Sequence, residues 1–168
     1  EVKERNTAGF AEYEFAFGNF SANAGLRYEH VKSNYYEAGI YQSGPSRRYA
    51  DWFPSLSLAW QKGEWGVQGS YVCKIARPSY NWLRNEMQYD NRYFYEGGNP
   101  YLRPERVQSV SLSGSYSWLN AEVGYEYTKD KMLWTATLYN GQDIGVTRNS
   151  NFDSYQYLYA SLTASPKF

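Results

Sequence analysis

Five serines, Ser109, Ser111, Ser113, Ser115 and Ser117, occupy every second place in a stretch whose other places hold Val110, Leu112, Gly114, Tyr116 and Trp118. Successive side chains of a β-strand point to opposite faces, so this run makes one oily face and one hydroxyl face. A helix of period 3.6 would mix the two. The same alternation recurs along the chain and predicts seven strands, at 7–17, 20–34, 49–61, 65–77, 106–118, 121–138 and 143–165. Ala11, Tyr13, Phe15 and Phe17 oppose Glu12 and Glu14; Phe20, Ala22, Ala24, Leu26 and Tyr28 oppose Ser21, Asn23, Arg27 and Glu29. Trp52, Pro54, Leu56, Leu58 and Trp60 oppose Asp51, Ser55 and Ser57; Trp65, Val67, Gly69, Tyr71, Cys73 and Ile75 oppose Gln68, Ser70 and Lys74. Ala121, Val123, Tyr125 and Tyr127 oppose Glu122, Glu126 and Asp130, and Leu158, Ala160, Leu162 and Ala164 oppose Tyr159, Ser161 and Thr163. None of the residues named on the apolar faces is charged.

Strands of this length exceed the usual soluble length of about 5–6 residues and reach the roughly 9–11 tilted residues that cross a bilayer. Composition agrees. Aromatic residues make up 20% of the chain, with 19 Tyr and 6 Trp, yet mean hydropathy is only −0.74. That combination suits strands wetted on one face only. No segment approaches the roughly 20 apolar residues of a membrane helix.

Hairpin turns test the faces, because a one-residue slip inverts a strand. Gly18-Asn19 is a two-residue turn of type II′ chemistry that pairs Phe17 with Phe20. Gln61 to Glu64 pairs Trp60 with Trp65, and Leu119-Asn120 pairs Trp118 with Ala121. Asn140-Gly141, a type I′ signal, pairs Tyr139 with Gln142 and so sets Val123 opposite Leu158 and Ala121 opposite Ala160. Apolar meets apolar each time. Short turns alternate with longer excursions at 35–48, 78–105 and a hairpin tip near 132–150, as in an outer-membrane barrel with periplasmic turns and extracellular loops. Phe17, Phe20, Trp60, Trp65 and Trp118 gather at the short-turn end, where an interfacial aromatic girdle belongs.

The expected fold is therefore all-β: an antiparallel up-and-down meander of about seven strands, forming an arc of a transmembrane β-barrel in a bacterial outer membrane. An open edge in lipid leaves backbone groups unpaired, and single-chain bacterial barrels have even strand counts from about 8. Seven strands thus read as part of a wall, and Glu1-Val-Lys-Glu-Arg-Asn reads as the middle of something. Pro78, Pro100 and Pro104 argue against an eighth strand in the long excursion. Phe168 sits in parity with Leu158 to Ala164, as a barrel's terminal aromatic would, although Pro166 interrupts the pattern. The alternative is a small soluble or secreted β-sheet binding module with Tyr-rich loops, whose apolar face would point inward.

Four motifs add a family resemblance: "AGLRYEH" (Ala24 to His30), "WFPSLSLAW" (Trp52 to Trp60), "RPSYNWL" (Arg77 to Leu83) and "GNPYLRPE" (Gly98 to Glu105). In this order and spacing, over roughly residues 8–165, the chain resembles the barrel region of TonB-dependent receptors, nearest to the outer-membrane β-barrel family common in Bacteroidetes. The resemblance implies about 22 strands around a plug and uptake of a scarce, bulky nutrient such as a chelate, cofactor or glycan. It also implies a plug, a TonB-contacting segment and a signal peptide upstream of Glu1. The implied partners are outer-membrane lipid and lipopolysaccharide, the rest of the same barrel and its plug, and the TonB complex.

The residues themselves give Arg77, Pro78, Gly98, Asn99, Pro100, Leu102, Pro104 and Glu105 a loop-anchoring role. Arg77-Pro78 ends a strand, Gly97 to Pro100 forms a tight turn, and Pro104 precedes re-entry into the sheet. Ligand contact, if it lies in this chain, falls to Tyr89, Asp90, Asn91, Arg92 and Tyr95, which mix aromatic and polar groups as glycan or chelate sites do. Packing of the loop by these tyrosines is the favoured reading. Arg47 and Arg48 are candidate paired donors to lipopolysaccharide phosphate, although an ordinary solvated loop is favoured. Cys73 reads as a small hydrophobe on an apolar face. No enzyme is expected: the carboxylates line a polar lumen, and the lone His30 has no triad around it. No metal or cofactor is expected, and with 17 basic and 17 acidic residues no nucleic-acid partner.

Overall fold

The computed structural model describes residues 1–139 and 143–166. The alternating segments become seven long strands: β1 (Val2–Phe17), β2 (Phe20–Glu37), β3 (Ile40–Lys62), β4 (Trp65–Ala76), β7 (Glu105–Tyr116), β8 (Leu119–Leu138) and β9 (Gly145–Ala164). Two short strands, β5 (Met87–Asn91) and β6 (Phe94–Gly97), arise inside the long excursion. Its prolines at 78, 100 and 104 all lie outside that hairpin, so they bound it rather than break it. The nine strands form one sheet in the order β1-β2-β3-β4-β7-β8-β9-β6-β5. Every pair is antiparallel except β6 with β9. β1 is paired on one side only, so the described residues make an open arc and not a closed barrel.

Positive φ at the first turn residue alone marks the type II′ turn, and Gly18 has it at +56°. Phe17 pairs with Phe20 as the sequence predicts. Elsewhere the turns slide by an even number of residues. Gly63-Glu64 is the β3–β4 turn, with Gly63 at φ +60°; Lys62 pairs with Trp65, and Trp60 faces Val67. The β7–β8 turn is Ser117-Trp118, not Leu119-Asn120, and pairs Tyr116 with Leu119. Asn140, Gly141 and Gln142 lie outside the described residues, as does Phe168. The neighbouring Tyr139 donates its N–H to the Ile144 carbonyl at 2.7 Å, so the β8–β9 register sets Val123 opposite Ala160 and Ala121 opposite Leu162. A slip of two or four leaves every side chain on its own face, which is why the predicted faces survive.

Ser117 holds φ +50°, a left-handed conformation that costs a non-glycine residue about 1 kcal/mol. Ser117→Gly is expected to stabilise the folded barrel by a few tenths to about 1 kcal/mol, net of glycine's larger unfolded-state entropy. Urea unfolding of the full-length protein in detergent measures it.

The 35–48 excursion is strand. β2 and β3 run on to a tight turn at Ala38-Gly39, both at positive φ (48° and 81°), the type I′ pattern. Gly44-Pro45 sits in a bulge: Ser43 to Ser46 lie opposite Asn34, between the pairs Ser33–Arg47 and Tyr35–Gln42. The Ser46 hydroxyl repairs the ladder, accepting the Tyr35 N–H at 3.0 Å and donating to the Gln42 carbonyl at 2.6 Å.

The convex face is bare. Phe17 is 78% exposed, Leu158 71% and Leu162 72%, and among the described residues no helix or second sheet covers them. A soluble sandwich would hide this face, so the soluble alternative fails. The rung Ala22, Leu58, Gly69, Leu112, Val123 and Ala160 runs along its middle. Phe17–Phe20–Trp60 lies at the short-turn end, and Trp65 packs on Tyr116 there with ring centroids 4.2 Å apart. Trp118 stands in the adjoining turn. A second aromatic rung, Tyr28 against Trp52 at 4.7 Å, lies eight residues up β2. At about 3.3 Å per residue the two rungs are roughly 26 Å apart along the strand, or about 20 Å along the membrane normal at a barrel tilt near 40°, a little less than the ~25 Å apolar band of an outer-membrane barrel.

Candidate functional site: the concave face and its loop

The concave face carries the polar half of each alternating strand. Serines dominate its centre, with Ser70 and Ser111 sharing a hydrogen bond at 2.8 Å. Carboxylates flank them and are engaged. The Asn23 amide donates to Glu12 and Glu14 at 2.8 and 3.1 Å. The Ser109 hydroxyl donates to Glu126 at 3.1 Å, and Tyr159 donates to Glu122 at 2.8 Å. The Tyr159 ring lies flat over Gly124, where a Cβ would come within 2.3 Å of it. Hydroxyls and hydrogen-bonded carboxylates make a wetted, weakly charged wall.

Toward the long-loop end this face is roofed. The β3–β4 ladder stops at Ser55–Val72, next to Pro54, which has no N–H to extend it. The 77–104 segment crosses the concave face above this point, and Leu102 within it and Val31, Tyr35 and Phe53 on the strands of that region are all buried. Glu29, buried on β2, is clasped by two guanidiniums, Arg27 at 2.5 Å and Arg77. Arg106 pairs with Asp51 across the split and lies over the Phe53 ring.

The predicted anchor residues come together here. Gly98 has no room for a side chain, since a Cβ would sit 2.0 Å from the Arg84 carbonyl oxygen. The tight turn is Asn99-Pro100-Tyr101-Leu102 rather than Gly97 to Pro100, with Leu102 N–H donating to the Asn99 carbonyl at 3.2 Å. Asn at the first place and Pro at the second are what a type I turn takes; Gly97 instead ends β6. The Asn99 side chain accepts the Tyr101 N–H at 3.0 Å and donates to the Asn149 carbonyl at 3.1 Å. Leu102 is 2% exposed. Glu105 accepts the Met132 N–H at 2.6 Å and Lys131 Nζ at 3.2 Å. Arg103 pairs with Asp130, whose φ is +56°. Asn151 completes the knot, donating to the Asp130 and Arg103 carbonyls at 2.7 and 2.9 Å.

Sequence reasoning missed Asn149 and Asn151, and it gave Glu29 and Asp130 no partner. The one sequence-level signal was two acidic residues on the wetted face with no counter-ion on a neighbouring strand. Gly98→Ala is expected to unseat the loop, because backbone must move to admit the methyl. Limited proteolysis of the full-length barrel would then cut within 77–104 where the parent protein resists.

The predicted ligand residues are placed differently. Tyr89, Asp90, Asn91, Arg92 and Tyr95 build the β5–β6 hairpin. The Asn91 side chain accepts the Tyr93 and Phe94 N–H groups at 2.9 and 3.1 Å and donates to Asp90 at 3.0 Å. Arg92 lies over the Tyr93 ring, and Tyr95 sits between Tyr89 and Tyr139 at 5.9 and 5.8 Å. Most of their polar and aromatic capacity serves the hairpin itself.

A cavity of about 200 Å³ remains between roof and wall, lined by Tyr35, Tyr49, Pro78, Leu83, Pro100 and Leu102 among others. Arg47 stands at its rim, donating to the Gly44 and Tyr101 carbonyls at 2.7 and 3.3 Å. Burial raises the Tyr49 hydroxyl above the usual tyrosine range, partly offset by Arg47.

Comparison with known proteins adds three findings. A family model described as "Outer membrane protein beta-barrel family" matches residues 1–168. No curated protein matches the chain significantly. Among solved structures, the copper transporter OprC is similar at 15% identity and TM-score 0.69, over 96% of this chain and 26% of that one. The Serratia marcescens hemophore receptor HasR, solved as a double mutant with hemophore HasA and heme, matches at 14% identity and TM-score 0.65, over 94% of this chain and 31% of that one. The FrpB iron transporter from Neisseria meningitidis matches at 18% and 0.59, over 96% and 22%. These TM-scores establish a shared fold and no more, and the chain spans between about a fifth and a third of the length of these structures.

Proposed function

The chain belongs to the outer membrane protein beta-barrel family and resides in the bacterial outer membrane, and we propose that it serves there as part of the wall of a TonB-dependent receptor. The cargo would be a scarce, bulky nutrient: a metal chelate, a cofactor or a glycan. The observation that carries this reading is the roofed concave face. A wall that only sealed a membrane would not need a 28-residue segment pinned across its inner surface by Glu29, Asn149 and Asn151. The wetted, hydrogen-bonded face below that roof suits contact with a plug, and the roof suits the mouth through which cargo enters.

On this reading the anchor residues Arg77, Gly98, Asn99, Leu102 and Glu105 shape the mouth rather than touch cargo. Tyr89, Asp90 and Tyr95, in the β5–β6 hairpin, are the better candidates for cargo contact. No residue is assigned a catalytic role. The similar structures above are a copper transporter, a hemophore receptor and an iron transporter, which supports the transport class without choosing the cargo.

The test is uptake by cells that carry or lack the full-length gene, offered ferric chelates, heme, copper, cobalamin and glycans as limiting nutrients. Loss of growth on one of them, reproduced when the TonB complex is removed, is the expected result. Uptake that continues without TonB would overturn the proposal.

A further inference from the structure

β1, β2 and β3 continue past the upper aromatic rung of Tyr28 and Trp52, and on their convex face the residue types change abruptly. The next same-face rung is Thr7, His30 and Ala50; the one after it is Arg5, Lys32 and Arg48. The register is unbroken from Phe17–Phe20–Trp60 to this rung, so the three cations share the face of the aromatic girdle. All three are exposed. Among the described residues no carboxylate lies within ion-pairing distance of any of them. Lys3 follows on the same face of β1.

Like charges directly opposite one another across strands repel and destabilise a sheet. Three in one rung, with no counter-ion from the protein, ask for an external anion. Their height indicates its source. Lys32 lies four residues beyond Tyr28, ~13 Å along the strand, or about 10 Å along the membrane normal at a barrel tilt near 40°. An aromatic belt marks the edge of the hydrocarbon, so the cations stand at headgroup level. Arg47, next to Arg48 in sequence, points the other way, into the roof. The two arginines therefore do not act as a pair; Arg48 works with Lys32 and Arg5 across the strands instead.

From these observations we infer that Arg5, Lys32 and Arg48 form a binding site on the barrel's outer wall for the phosphate of an outer-leaflet glycolipid headgroup. Guanidinium and ammonium donors spaced one strand apart, about 4.8 Å, hold one phosphate group from several sides through charge-assisted hydrogen bonds. Bound lipid relieves the repulsion and fixes the upper ends of β1–β3, behind the wall on which the 77–104 roof is seated. The inference rests on the membrane placement and not on which cargo is carried.

Thermal unfolding of the full-length protein in neutral detergent tests it, titrated in parallel with phosphorylated lipid A, the same lipid after phosphate removal, and inorganic phosphate. Phosphorylated lipid A is expected to raise Tm, and the other two to leave it unchanged. Replacing each cation by glutamine should weaken the apparent lipid affinity about fivefold, and Arg5→Gln/Lys32→Gln/Arg48→Gln roughly a hundredfold, since each cation near an anionic surface contributes about one factor of five. A full shift from inorganic phosphate would make the rung a free-anion site and overturn the inference. So would equal binding of dephosphorylated lipid, or unchanged affinity in the triple variant. If the triple variant does not fold, the single variants decide, with Lys32→Gln first. The readout needs no cargo and no TonB, so its outcome is separate from that of the uptake test.

Discussion

Glu29→Ala is expected to free the 77–104 segment from the wall and lower stability by about 1–3 kcal/mol, the usual cost of losing hydrogen bonds to a charged group where the donors left behind are partly solvated. The carboxylate is almost fully buried, while Arg27 and Arg77 are partly exposed. Without it, two guanidiniums face each other, and the inner one loses its only ion-pair partner among the described residues. Arg77 already has a buried Nε with no hydrogen-bond partner. Two measurements check this on the full-length protein in detergent: the urea midpoint, and protease cleavage between Pro78 and Pro104. Glu29→Gln keeps one acceptor and should fall between parent and alanine variant. A cleavage pattern unchanged in Glu29→Ala would show that the roof is held by its apolar contacts at Leu102 and Phe53 alone.

Leu112→Arg and Ser113→Arg, neighbours in sequence, are expected to differ sharply. Leu112 lies on the middle rung of the convex face, between Gly69 and Val123, where arginine at the bilayer midplane costs about 2–4 kcal/mol. Ser113 looks the other way, between Gln68 and Glu122, where arginine finds water and a nearby carboxylate and should cost close to nothing. Folding of the full-length protein into lipid vesicles, followed by heat-modified gel mobility, separates the two. Equal effects would refute the assignment of faces.

That assignment was legible in the sequence because strand side chains alternate with period two. Ser109 to Ser117 against Val110 to Trp118 suffices to define two faces, and the girdle residues at the short turns orient the strands. The same property hid the register. Moving the β3–β4 turn from four residues to Gly63-Glu64, or the β7–β8 turn to Ser117-Trp118, shifts the pairing by two or four and leaves each face as it was. Matching apolar with apolar across a turn is blind to even slips. Backbone φ at Gly63 and Ser117 decides them, and a serine in that place carries no sequence signal.

The sequence by itself therefore determined the class, the faces and the membrane, since these follow from local alternation and residue type. Tertiary structure alone decided where 77–104 goes. Its anchors join residues far apart in the chain, Glu29 to Arg77, Asn99 to Asn149 and Arg103 to Asn151, and no local periodicity encodes such pairs. The cation rung divides the same way. Arg47-Arg48 stands out in sequence as an adjacent pair, yet successive strand residues point to opposite faces. Only the register of three strands brings Arg48 beside Lys32 and Arg5, because hydrogen-bonded neighbours across a sheet are distant in the chain.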